Sequence, residues 1–165
     1  MQSGSRSRAI HPANLALATC IALRDGGLRV IRGAALLYGA YSLELDTASA
    51  RANGGGAYFL STAEMTRYWN DYVPRPADRQ SPLAVPMLAN LANLPPLCIV
   101  ACEFDPLLDD SRILADRAKA AGVDFEFHLW KSMVHGAASV MGWIDALAPE
   151  VDRIGEFLRN VTRAA

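Results

Sequence analysis

Residues 97–110 read LCIVACEFDPLLDD. The first part, 97–103, is a nearly unbroken apolar run that closes on a glutamate. A run of this kind suits a strand buried on both faces, as strands of a parallel sheet are. Asp105 follows directly, and Pro106 then opens a helical stretch over 106–121. Acids stand at its start (Asp109, Asp110), bases further on (Arg117, Lys119), and Gly122 stops it. That order of charge complements the helix dipole. A buried strand feeding a helix is one unit of an open α/β sheet, where functional groups gather beyond the C-terminal ends of strands. Asp105 holds such a position.

Moving outward, the neighbouring segments repeat the unit. DFEFHLW (124–130) alternates, with Phe125, Phe127 and Leu129 on one face and Glu126, His128 and Trp130 on the other. AALLYGAY (34–41) is a third candidate strand, short and apolar throughout. PANLALATCIALRD (12–25) reads as a helix, with Pro12 in its first turn and Gly26-Gly27 at its stop. Residues 42–60 read as loop, with the triple glycine 54–56 at their centre. Ser61 and Glu64 have the spacing of a capping box, and Met65, Tyr68, Trp69 and Tyr72 make one packing stripe on the helix behind it. Residues 74–96 are proline-rich and read as a long surface connection. The last helix, 149–161, carries Val151, Ile154, Phe157, Leu158 and Val161 on one side. Strands and helices alternate, which predicts an α/β fold: a parallel sheet of about three strands flanked by helices. Residues 1–11 read as a flexible N-terminal tail and 12–165 as one domain.

Composition narrows the class. The chain has 165 residues, is 52% apolar and 20% charged, and carries a net charge of −1. It is long enough to bury a core. No basic patch for nucleic acid stands out, and no apolar run reaches bilayer length. The first ten residues hold no apolar signal-peptide region. Cys98 and Cys102 share one strand, and strand rise sets them about 13 Å apart, too far for a disulfide. Their spacing also lacks histidine partners for zinc. With Cys20 they read as buried thiols of a reducing compartment, so the cytoplasm is expected.

His135 follows the strand 124–130 by five residues, within KSMVHG. An acid after one strand and a histidine after the next is the Asp-then-His half of a hydrolase triad. Read singly, Asp105 also fits a turn-initiating aspartate before proline, and His135 a loop histidine before glycine. The surrounding wording goes further. SPL (81–83), LPP (94–96), EFDPLLDD (103–110), AKAAGV (118–123) and SMVHG (132–136) stand in an order that resembles the hormone-sensitive-lipase-like esterases, an α/β-hydrolase family. The helix 14–25 and the strand 35–41 resemble that family too, so the likeness covers nearly the whole chain from about Ala13.

The resemblance implies a serine carboxylesterase acting on short-chain esters, with Asp105 as the triad acid, His135 as the base, and no metal or organic cofactor. It also exposes departures. The family's serine sits in an elbow resembling G-D-S-A-G-G/A-N; aligned on Ala13-Asn14, Ile10 takes the serine's place and Pro12 that of a glycine. The H-G-G-G oxyanion segment and about five preceding strands have no counterpart. Ser132 replaces a glycine, Ala137 a phenylalanine, and Asp110-Ser111 a Glu-Gly pair. The tail serines Ser3, Ser5 and Ser7 lack an elbow. A truncated domain without nucleophile and oxyanion hole is expected to be inactive alone. The alternatives are a non-catalytic interaction module, or one half of a split esterase completed by another chain. Missing neighbours also leave the strand 34–41 with an open edge, which predicts a homo-oligomer; the last strand offers a second edge.

Overall fold

A computed structural model describes residues 12–163. The tail assigned to 1–11, and with it the placement of Ile10 at the serine position, lies outside the described residues. The strand β2 (Leu97–Phe104) forms the centre of a three-stranded sheet of order β1-β2-β3, in which β1 (Ala34–Leu37) and β3 (Phe125–Val134) both pair with it in parallel. Leu97 to Cys102 are all buried, as the unbroken apolar run predicts. Alternation then sorts them. Leu97 and Ile99 pack with Leu17 and Ile21 of α1 (Pro12–Asp25) and Leu114 and Ala118 of α4 (Leu108–Ala120). Cys98, Val100 and Cys102 pack with Trp130 and with Ile154 and Phe157 of α5 (Ala148–Arg163). Helices therefore cover both faces, and burial of these side chains is the main stabilising force.

The expected helix over residues 62–72 is α3 (Thr62–Tyr72), and its capping box is complete. Ser61 Oγ accepts from Glu64 N at 3.1 Å, and Glu64 Oε2 accepts from Ser61 N at 3.1 Å. Met65, Tyr68 and Trp69 of the stripe are buried, against Leu60, Val73, Val85 and Leu107. The proline-rich connection carries two short 3-10 turns, Pro76–Gln80 and Pro86–Leu88. The Arg117 guanidinium ties it to α4 by donating to Met87 O and to Ala89 O.

Two expectations need correction. The apolar run 34–41 is a strand only as far as Leu37. Tyr38 has φ 38°, which ends the extended backbone, although its N–H still reaches Val100 O at 2.7 Å. Ala40 and Tyr41 are apolar because they are buried in the irregular segment that follows the strand. A Cβ on Gly39 would lie 2.3 Å from the Tyr41 ring, so only glycine fits there. Residues 42–60 are not all loop: α2 (Ala48–Asn53) lies among them, with Thr47 as its cap. It is too short and too polar to show apolar periodicity. Its place is fixed from outside, since Ser49 N donates to Asp109 Oδ2 at 2.7 Å and Ser49 Oγ donates to Pro106 O at 2.9 Å.

Candidate active site

Asp105 stands one residue past β2, and His135 one residue past β3. The strands are paired neighbours, so the two loops leave the sheet side by side. His135 Nδ1 lies 2.9 Å from Asp105 Oδ2, with the side chains 7% and 1% exposed. The other carboxylate oxygen, Oδ1, accepts from Leu107 N at 2.8 Å. That bond closes an Asx turn and explains why α4 begins at Leu108 and not at Pro106. A carboxylate has no proton to give, so the ring nitrogen facing it carries one, which leaves Nε2 with the free lone pair. Among the described residues, no hydroxyl or thiol hydrogen-bonds to His135.

The end of β3 and the histidine turn after it are held in an unusual backbone shape. Ser132 has φ 59° and Gly136 has φ 80°, both in the left-handed region. Gly136 meets that demand without cost; Ser132 does not. The Ser132 N–H is anchored on Glu103 Oε2 at 2.7 Å. Between these two residues β3 continues to Val134, longer than the run 124–130, after a register irregularity opposite Cys102 and Phe104.

Three further groups shape the site. The Tyr38 ring meets the His135 ring edge-on, with centroids 5.0 Å apart. Burial first, and then Cys102, push the Tyr38 phenol above its ordinary value, so it stays protonated. Cys102 is itself pushed up to about 12 by burial and then by Asp105, which makes it an inert thiol. Asp110, one turn into α4, is buried and accepts from Tyr41 N at 2.7 Å and Ser42 N at 3.1 Å. Burial, only partly offset by those two bonds, pushes it up to about 7. Asp109 beside it is also raised by burial, but bonds from Ser49 and Arg112 outweigh this and leave it below the usual range. Tyr38 escapes a sequence reading because its segment reads as continuous strand. The roles of Asp109 and Asp110 depend on partners about 60–70 residues away along the chain. No group of potential metal ligands includes Asp105 or His135 among the described residues; Cys98, Glu126 and His128 form one elsewhere.

The parallel strands and flanking helices that carry these residues have counterparts in a known fold. The family model of the alpha/beta hydrolase fold matches residues 13–139. This chain belongs to that family. As an alpha/beta hydrolase it is similar to EstE1, a thermostable carboxylesterase cloned from a metagenomic library, at 28% identity and TM-score 0.87, over 92% of this chain and 52% of that one. A hyperthermophilic esterase from the archaeon Pyrobaculum calidifontis is similar at 28% identity and TM-score 0.87, over 93% and 51%. A thermostable esterase from Pseudomonas putida ECU1011 matches at 26% and TM-score 0.75, over 93% and 47%. The chain thus spans about half the length of the esterases it matches, and its three-stranded parallel sheet is part of their larger fold. No helix of the described residues is long and apolar enough to cross a membrane.

Proposed function

We propose that this alpha/beta hydrolase carries the acid–histidine half of a serine carboxylesterase site for short-chain carboxylic esters. Asp105 is the orienting acid and His135 the general base and then acid. The observation that carries the reading is the buried contact of 2.9 Å between His135 Nδ1 and Asp105 Oδ2. Its similarity to esterases supports the substrate class. In the reaction a nucleophile hydroxyl gives its proton to His135 Nε2 as its oxygen attacks the ester carbonyl. Asp105 stabilises the imidazolium, which returns the proton to the leaving alcohol. Water then repeats the cycle on the acyl group. No organic cofactor or metal enters these steps.

Among the described residues, no hydroxyl stands in hydrogen-bond contact with His135. With Ile10 aligned where the family has serine, the chain alone is inactive, and in subtilisin loss of the nucleophile alone costs about a millionfold. Hydrolysis of a short-chain p-nitrophenyl ester, measured beside His135→Ala, tests this. Equal, near-background rates are expected; a rate that falls in the variant would reveal a working nucleophile and overturn the inactivity. A second reading is favoured by the outer edge of β1, with which no strand pairs among the described residues, and by exposed Leu28 and Val30 just before it. A strand edge with apolar flanks takes up another chain. That chain is a second copy, giving a homo-oligomer, or a separate half that completes a split esterase; as a pure interaction module the fold would use the same edge. Light scattering at micromolar concentration that shows a monodisperse monomer would exclude the homo-oligomer. Three free buried cysteines fit a reducing compartment, and we place the chain in the cytoplasm.

A further inference from the structure

We propose that Cys98, Glu126 and His128 form a binding site for a zinc(II)-class transition-metal ion. The site lies on the α5 face of the sheet, near the start of β2 and β3. It is independent of the esterase reading.

Strand register builds the site. Cys98 pairs with Glu126, and Val100 with His128. Alternation turns residues 98, 126 and 128 to one face. One ligand atom from each lies within 4.8 Å of the others. His128 Nε2 and Glu126 Oε2 are already 3.0 Å apart. Zinc bonds of about 2.0–2.3 Å in tetrahedral geometry set ligand atoms roughly 3.3–3.8 Å apart. The widest gap therefore closes by about 1 Å, within reach of side-chain rotation.

The donor set is also right. A thiolate, an imidazole and a carboxylate suit zinc, and oxygen-seeking calcium or magnesium would reject the sulfur. A thiolate and a carboxylate together neutralise a divalent cation. Binding releases the Cys98 thiol proton to solvent as the thiolate takes up the cation. Cys98 is fully buried, His128 is mostly covered, and the Glu126 side chain is 48% exposed. Two ligands are thus fixed by the paired strands, and the wet side leaves a fourth position for water. Cys98 and Asp105 are seven residues apart along the chain, about 23 Å at strand rise. An ion here would clamp β2 to β3 and would not touch the dyad.

The test is titration of the metal-free chain with cobalt(II), followed by displacement with zinc(II). One equivalent should bind, with a thiolate-to-cobalt charge-transfer band in the near ultraviolet that one equivalent of zinc removes. Cys98→Ser should abolish the band. His128→Ala should weaken binding by at least about 100-fold, because loss of even an outer-shell partner costs 10–100-fold. Glu126→Gln should weaken binding while keeping the band. His128 and Glu126 are not in the closed core, so their variants keep the test meaningful if Cys98→Ser fails to fold by circular dichroism. No band would overturn the proposal; so would a band unaffected by His128→Ala and Glu126→Gln, whose source would then be Cys20 or Cys102.

Discussion

Two carboxylate–imidazole pairs lie along the same two strands and differ in almost everything but distance. Asp105 and His135 meet at 2.9 Å beyond the C-terminal ends of β2 and β3; Glu126 and His128 meet at 3.0 Å near the start of β3. The first pair is sealed, with side chains 1% and 7% exposed; the second keeps 48% and 16%. Asp105 is further fixed by the Leu107 N–H, and His135 by its edge-to-face contact with Tyr38. The second pair joins neighbours on one strand, at the protein surface. Coulomb attraction is several-fold stronger where water is excluded, and an exposed pair gains little. Surroundings, not separation, make one pair rigid and sealed and leave the other exposed to solvent.

A third carboxylate, Asp110, behaves differently from both pairs. Asp110 is buried like Asp105 but faces backbone N–H groups and no imidazole, and burial pushes it up to about 7. Its value in the unfolded chain is near the ordinary 3.8. Between these two values the folded state keeps a proton that the unfolded state has released. Its contribution is therefore fully present below about pH 4 and is lost as pH rises through about 7. Asparagine does not titrate and still accepts from both N–H groups. Asp110→Asn should gain on the wild type by up to about 4 kcal/mol between about pH 4 and pH 8. Urea unfolding at both ends checks this; a gap that does not change with pH would contradict it.

Next in size is the sealed pair itself. Asp105→Ala leaves His135 and the Leu107 N–H without their partner and should cost about 3 kcal/mol in denaturant unfolding. A cost below about 1 kcal/mol would erase the distinction between the two pairs. Ser132→Gly should stabilise by about 0.5–1 kcal/mol, because glycine adopts φ 59° freely, less its extra freedom in the unfolded chain. A lower melting temperature would show that the serine side chain matters more than its backbone strain. Glu126→Gln should change stability by no more than about 0.5 kcal/mol without metal. A larger loss would mean that the exposed pair holds β3 in place.

What the sequence shows and what it hides follow from range. The continuous burial of residues 97–102 and the capping box at Ser61 and Glu64 are local patterns, and they are legible. Asp105 and His135 are visible as residues just past strand ends, and sheet pairing then brings them together. Tyr38 is hidden because the apolar residues of the irregular segment 38–41 look like strand. The spacing of Cys98 and Cys102 offers no histidine for a metal, yet β2–β3 register sets Glu126 and His128 beside Cys98. Register is a property of two segments at once and cannot be read from either. Ser132 is a related case: the place of a family glycine is legible, but the positive φ that explains it is seen only in the fold.

Asp105 holds His135 as one tautomer in a sealed site. Nitrogen-15 NMR of the His135 ring, at a pH where the imidazole is neutral, tests it directly. The account predicts a proton fixed on Nδ1, shifted far downfield and slow to exchange, with Nε2 bare, and loss of that signal in Asp105→Asn. A proton on Nε2, or a ring that averages both tautomers and ignores Asp105→Asn, would contradict it.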